Sequence, residues 1–288
     1  MSILATTDRR TVAVVGGGRM GAGIAQVFLT AGHSVVVSES SAAAADAARA
    51  RVRTGLAKGI ERGASGEDLD ALTARFQVVT EIGALPSDAD LLIEAVPEQT
   101  ALKHRVLAAA EATVSAGCVI ATNTSSLSVT ELAETLGHPD RFLGMHFFNP
   151  VPSSSLVEIV TTPATRTDVL DSATAWVAQL GKQSIVVRDS PGFATSRLGV
   201  LLGLEAIRML EEGVADAGDI DRAMELGYRH PTGPLRSTDL VGLDVRLAIA
   251  EHLAQTLGPR FTPPQLLRDK VARGELGRKT GRGFFDWA

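Results

Sequence analysis

The chain has 288 residues, room for one large domain or two ordinary ones. Hydrophobic residues at 45% and charged residues at 21% call for a packed core and exclude general disorder. Nine Phe, two Trp and one Tyr are too few for platforms that stack bases or sugars, and 33 acidic against 28 basic residues leave a net charge of −5, so no nucleic-acid partner is expected.

The first predicted element is a strand at 11–15, TVAVV, a β-branched apolar run that ends in GGGRMGAG. IAQVFLTAG follows with helical apolar spacing at Ile24, Val27 and Phe28, and HSVVVSE is again strand-like. Further strands are predicted at 76–79, 90–95, 118–122, 141–148, 156–160 and 184–188, with helices at 41–62, 99–115, 127–136 and 166–180. This alternation predicts an α/β fold with a Rossmann-type doubly wound sheet. After Asp189-Ser190-Pro191-Gly192 the pattern turns helical. The stretch 196–213 carries Leu198, Leu201, Leu202, Leu204, Ile207, Met209 and Leu210, apolar on more than one side, which predicts a buried helix. Only the last few residues read as extended. The expected domains are 1–188, binding a cofactor, and an all-helical 189–288.

Gly16, Gly18 and Gly21 form G-x-G-x-x-G between a strand and a helix, the context the motif demands. Gly16 would make the tight turn, Gly18 would admit a pyrophosphate to the backbone, and Gly21 would let the helix pack close to the sheet. Arg19 and Met20 fill the two variable positions and are expected to border the cofactor. The helix N-terminus would hold the anion through unpaired N–H groups. Glu39 ends the second strand, 18 positions after Gly21, where a carboxylate accepts from ribose hydroxyls and repels a 2′-phosphate. Ser40, Ser41 and Ala42 follow with no Arg, so NAD is the expected cofactor rather than NADP.

Of six His, five have ordinary settings: His33, His138 and His230 in turns, His104 and His252 on helices. His146 differs, because it ends the apolar strand GMHF, where open α/β sheets place their chemistry. Glu158 interrupts LVEIV, a costly place for a carboxylate without a partner. If the two segments fold back about Pro152, His146 and Glu158 stand directly opposite each other on neighbouring strands. A carboxylate beside an imidazole fixes its tautomer and favours its protonated form. Composition alone leaves two readings open: a general base with its partner, or a structural pair bracing the hairpin.

Cys118 is the one cysteine, so no disulfide framework or thiolate cluster is possible, and no His pair has ligand spacing; no metal site is expected. The start, MSILATTDRR, lacks the apolar centre of a leader, and no apolar run nears the ~20 residues of a membrane span. A cytoplasmic protein without a membrane partner is the expectation.

GGGRMGAGIAQVF, LLIEAVPE, TNTSSLSVTELA, GMHFFNPVP, LVEIV, DSPGF, DIDRAMELGYRHPTGPL, DLVGLD and LGRKTGRGFFDW together resemble the 3-hydroxyacyl-CoA dehydrogenases, in order and spacing, over about residues 11–287. The resemblance implies NAD-dependent oxidation of (S)-3-hydroxyacyl-CoA to 3-ketoacyl-CoA, a substrate- and dimer-forming helical domain, and a homodimer. It implies catalytic roles for His146, Glu158 and Ser125, and cofactor positions at Glu98, Lys103 and Asn123. Asn149 and Ser196 match substrate-contacting positions, as does Ser125. Ser196 stands where the family usually has Asn, Ser154-Ser155 where it often has Met-Lys, and Thr122 where Ser is frequent. Within 49–62, Arg49, Arg51, Arg53, Lys58 and Arg62 face only Glu61, a local charge of +4 in the region where the family binds coenzyme A; a solvated helix face is the alternative. Relatives that oxidise free sugar acids such as gulonate, and a crystallin-like NAD-binding relative without activity, are the competing functional readings.

Overall fold

The computed structural model describes residues 9–287. Residues 1–8, most of the segment read for a leader, lie outside the described residues. The chain forms two compact units, one running to Asp189 and the other beginning at Ser190.

The first unit holds one sheet of eight strands: β1 (Thr11–Val15), β2 (Ser34–Ser38), β3 (Phe76–Val79), β4 (Leu91–Glu94), β5 (Val119–Thr122), β6 (Phe142–Phe147), β7 (Leu156–Thr161) and β8 (Gln183–Arg188). Their order is β3-β2-β1-β4-β5-β6-β7-β8. All neighbours are parallel except β6 and β7. Val12, Val14, Leu91, Leu92 and Ile93 have no exposed surface, as continuous apolar strands covered on both faces require. The covering helices are α1 (Arg19–Thr30), α2 (Ala42–Glu61), α3 (Leu69–Thr73), α4 (Thr100–Thr113), α5 (Val129–Ala133) and α6 (Thr167–Gln179). Helix α1 buries Ile24, Ala25, Phe28 and Leu29, the face that its apolar spacing predicts. Phe28 meets Trp176 of α6 edge-on at 5.7 Å, and His33 packs edge-on against the same Trp at 5.0 Å.

From β1 the chain runs outward to β2 and β3, then returns to place β4 on the other flank of β1. The strand order therefore reverses between β1 and β4, and a crevice opens at their carboxyl ends. One predicted helix is shorter than its apolar pattern. Ser126 and Leu127 donate their N–H groups to Glu98 and Thr124 side chains, and Ser128 caps the helix through Glu131 N–H, so α5 begins only at Val129. At its far end Gly137 and His138 donate to Glu111. Side chains have replaced helical backbone bonds at both ends.

The second unit consists of α7 (Thr195–Glu211), α8 (Ala217–Gly227), α9 (Pro234–Val241), α10 (Leu243–Leu257) and α11 (Gln265–Ala272) with short turns between them. Val200, Leu204, Ile207, Leu235, Leu243, Leu253 and Phe261 form its core. The expectation that 196–213 is buried on several sides is corrected: Leu198 is 67% and Leu201 38% exposed in this chain. Nor is the C-terminal segment a strand; it makes isolated bridges from Gly277 to Arg282 and from Arg282 to Asp286. The segment is latched by Asp239, 1% exposed, which accepts from Phe284 N (2.8 Å), Phe285 N (2.9 Å) and Trp287 Nε1 (2.8 Å). Among the described residues no helix is long and apolar enough to cross a membrane.

Candidate active site

The glycine loop leaves β1 and enters α1, and each glycine has its own reason. Gly16 has φ +95°, and a Cβ there would lie 2.9 Å from Ala95 O. A Cβ on Gly21 would fall 1.7 Å from Gly16 O, which no side chain tolerates. A Cβ on Gly18 would meet nothing within 4 Å, because it would project into open space. The α1 N-terminus has no side-chain cap and no acidic residue in its first turn. Its first N–H groups therefore point outward with the positive end of the helix dipole, a fit for a pyrophosphate.

A cleft of about 770 Å³ opens beside this loop, bordered by Gly16, Gly18, Arg19, Met20, Glu39 and Val96 among others. Glu39 is fixed at its edge: Oε1 accepts from Gly17 N at 2.7 Å and Oε2 from Ser40 N at 3.3 Å. The loop's own N–H thus orients the carboxylate expected at the ribose. No Arg is close in sequence, yet the fold brings Arg51 Nη1 to within 3.2 Å of Gly17 O.

Beyond β4 lies a charged cluster. Lys103, 1% exposed, donates to Glu94 Oε1 (2.7 Å) and Oε2 (2.9 Å), and its ammonium is 3.3 Å from Glu98 Oε2. Glu94 also accepts from Val96 N (2.7 Å) and Thr122 Oγ1 (2.6 Å). Glu98 Oε1 accepts from Thr124 Oγ1 (2.5 Å), Ser125 N (2.9 Å) and Ser126 N (3.1 Å). Burial alone would raise the Glu98 carboxyl, but the Lys103 charge and these hydrogen bonds hold it below the usual range. Lys103, expected at the cofactor, therefore lies beneath the site with its ammonium engaged by Glu94 and Glu98. Glu94, Thr122 and Thr124 were not singled out as site residues from the sequence. The signal at Glu94 was available, since it interrupts LLIEA as Glu158 interrupts LVEIV.

His146 and Glu158 are register partners across the antiparallel β6–β7 pair, as folding about Pro152 requires. His146 Nδ1 and Glu158 Oε2 are 3.1 Å apart. The two residues are 6% and 0% exposed. Phe148 packs on the imidazole with centroids 4.4 Å apart. Asn123, expected at the cofactor, accepts from Phe147 N through Oδ1 at 2.9 Å and so anchors the strand end that carries His146. Ser125 is anchored through its N–H to Glu98, which brings the TNTSS segment and the β4 end together.

Asn149 lines a second groove of about 850 Å³ with Arg19, Arg51, Lys58, Arg62 and Pro152. The basic run thus divides. Arg49 pairs with Asp46 (2.7 Å) and Val78 O (2.9 Å) away from this groove, and only part of the run faces it. Ser196 lies in the first turn of α7, in the second unit. Cys118 is buried immediately before β5, which pushes its thiol up to about 12 and leaves it no nucleophilic thiolate at neutral pH.

A doubly wound sheet with this loop, an acidic residue just after β2 and a cleft at the strand-order reversal defines a dinucleotide-binding protein suited to NAD. Residues 11–190 match the model of the 3-hydroxyacyl-CoA dehydrogenase NAD binding domain, and residues 192–287 that of the 3-hydroxyacyl-CoA dehydrogenase C-terminal domain. A 3-hydroxybutyryl-CoA dehydrogenase of Mycobacterium tuberculosis is 40% identical over 285 residues, 96% of this chain and 98% of the other. A probable 3-hydroxybutyryl-CoA dehydrogenase of Deinococcus radiodurans is 38% identical over 275 residues, 95% of this chain and 99% of the other. The crystal structure of an (S)-3-hydroxybutyryl-CoA dehydrogenase from Ralstonia eutropha matches with a TM-score of 0.91 at 40% identity, covering 98% of this chain and 100% of that one. The chain belongs to the 3-hydroxyacyl-CoA dehydrogenase family, and it is an NAD-dependent oxidoreductase.

Proposed function

We propose that the enzyme oxidises (S)-3-hydroxyacyl-CoA thioesters to 3-ketoacyl-CoA thioesters, with His146 as general base. The buried His146–Glu158 pair at the strand end carries this reading. The names of the relatives support the substrate class. When bound, NAD supplies the acceptor for the hydride that leaves C3. Gly16, Gly18, Gly21 and the α1 N-terminus hold its pyrophosphate, with Arg19 and Met20 alongside, and Glu39 accepts from its ribose. Glu98 and Asn123 border the nicotinamide, and Lys103 acts as a positioning residue through Glu98.

Glu158 engages Nδ1, so proton exchange with the substrate hydroxyl falls to Nε2. His146 takes that proton as C3 is oxidised, and Glu158 stabilises the imidazolium. Ser125 orients the reacting oxygen; Asn149 and Ser196 contact the substrate. The groove bearing Arg19, Arg51, Lys58 and Arg62 holds the phosphates of coenzyme A, the local charge that a net-acidic chain supplies to a polyanion. The exposed Leu198, Leu201, Leu240, Val241 and Val245 of the helical unit provide the surface of a homodimer.

Initial rates with NAD and (S)-3-hydroxybutyryl-CoA, set against gulonate, test the substrate class. Turnover of gulonate but not of the thioester would overturn it. His146→Gln should lower kcat by about 10²–10⁴-fold while NAD affinity stays within about twofold. A near-normal kcat would remove His146 from its role.

A further inference from the structure

The cluster beyond β4 holds two carboxylates and one ammonium. The side chains of Glu94 and Lys103 are buried, while that of Glu98 is 33% exposed. Lys103 Nζ reaches both Glu94 oxygens, at 2.7 and 2.9 Å, and stands 3.3 Å from Glu98 Oε2. One positive charge is thus divided between two negative ones, and the closer pairing goes to Glu94. The other Glu98 oxygen, Oε1, is held by neutral donors: Thr124 Oγ1, Ser125 N, Ser126 N and Ser126 Oγ. Such bonds favour the ionised carboxylate without cancelling its charge. Among the described residues Glu98 has no ion pair besides that with Lys103. Two carboxylates against one ammonium leave a formal −1, and it rests on Glu98, the most exposed of the three.

Strand order decides which part of a dinucleotide this charge meets. Glu39 follows β2 on one side of the reversal, and the glycine loop follows β1 at its centre. A dinucleotide with its adenosine ribose at Glu39 and its pyrophosphate on the loop extends its nicotinamide half towards the ends of β4 and β5. Glu98 bridges those two ends, because it follows β4 and accepts from the segment after β5. Val96, Pro97 and Leu102, its close neighbours in the chain, line the same cleft as Gly16 and Glu39. The next strand is β6, with His146 near its end. Hydride and hydroxyl proton leave one carbinol group, so the ring that accepts the hydride must lie beside the base that takes the proton.

We propose that Glu98 sets the redox-state selectivity of the dinucleotide site: its uncompensated carboxylate strengthens binding of the oxidised, cationic nicotinamide relative to the neutral, reduced one. This rests on the reading that Glu98 borders the nicotinamide. The ring carries one positive charge before it accepts the hydride and none afterwards. A carboxylate that favours the oxidised form lowers the potential of the bound couple. It makes bound NADH the stronger donor and tilts the bound reactants towards the 3-hydroxyacyl thioester. At an effective dielectric of about 20, unit charges about 6–10 Å apart change affinity by roughly 15- to 100-fold. The partial exposure of Glu98 weakens this, so a factor of at least about five is expected.

The test is calorimetric titration of the full chain with NAD, NADH and ADP-ribose at about pH 8, where carboxylates are ionised. The readout is the Kd of NADH divided by the Kd of NAD. Glu98→Gln keeps the size of the side chain and an acceptor for its donors. It should lower that ratio at least about fivefold, which is about 20 mV in the potential of the bound couple. Glu98→Asp should retain most of the ratio. Lys103→Met removes the positive charge, so its ratio should hold or rise. ADP-ribose lacks the ring, and its affinity should be the same in wild type and Glu98→Gln. An unchanged ratio in Glu98→Gln overturns the proposal, as does a Lys103→Met ratio that falls as far as that of Glu98→Gln. If NAD and NADH weaken together while ADP-ribose does not, the charge role falls and Glu98 keeps its place at the nicotinamide. If ADP-ribose weakens as much as both, that place falls with it.

Discussion

Replacing Lys103 by Met removes the one ammonium between Glu94 and Glu98 and keeps the volume of the side chain. Glu94 has no exposed surface, so its charge loses a partner at 2.7 Å and gains no water. It retains the bonds from Val96 N and Thr122 Oγ1. These limit the loss but do not neutralise the charge. Breaking a buried pair by removing one partner costs about 3–5 kcal/mol. For a unit of this size each kcal/mol is about 2–4 °C, so the melting temperature should fall by about 6–20 °C. Differential scanning calorimetry on Lys103→Met, Glu94→Gln and the double variant measures it. The double variant should recover much of the loss, because both charges are then gone. A Lys103→Met shift under about 2 °C, or losses that simply add in the double variant, would refute the reasoning. The acid limb gives a second readout. The Glu98 carboxyl sits below its ordinary 4.5 in the folded chain. It therefore contributes stability above about pH 4.5 that is lost as pH falls through the folded value, and Lys103→Met should move that loss to higher pH.

Gly21→Ala forces a Cβ onto Gly16 O, so the loop must open; NAD affinity measured by calorimetry should drop at least about tenfold. Unaltered affinity would show that the loop does not hold the cofactor. Asp239→Asn leaves at most one oxygen for three donors and should destabilise the helical unit by about 2–4 kcal/mol, read by Trp287 fluorescence in urea. His33 is buried, and burial followed by the Arg10 charge lowers its affinity for a proton below the ordinary 6.5. The unfolded chain therefore takes the proton first, and stability should decline as pH falls from about 6.5 towards the folded value. His33→Leu should flatten that part of the stability profile; an identical slope in the variant would assign it elsewhere.

The eight strands were legible because each is a short apolar run, and period-two arithmetic was enough to set His146 opposite Glu158. Glu94 was as conspicuous, but its partner Lys103 sits across the β4–α4 turn, whose geometry has no period to read. The contact from Asn123 to Phe147 spans 24 residues and depends on two strands being neighbours, which strand order alone decides. Part of the basic run was readable in principle. Arg51, Lys58 and Arg62 recur near helical spacing and share the groove, while Arg49 does not. Leu198 and Leu201 misled, because a count of apolar residues cannot tell whether anything in the same chain covers them.

The β6–β7 joint sets a tolerance for change that the other connections of the sheet do not share. Residues 148–155 link the two strands, and Lys182 pins that link by donating to Val151 O and Ser154 O. Inserting or deleting one residue there, with Leu156–Thr161 sliding to re-pair, would turn Glu158 to the opposite face of the sheet from His146. The parallel crossovers carry whole helices and can lengthen without reversing any side chain. Loop-length variation among descendants of this chain, or in libraries built on it, should therefore be nearly forbidden between Phe147 and Leu156.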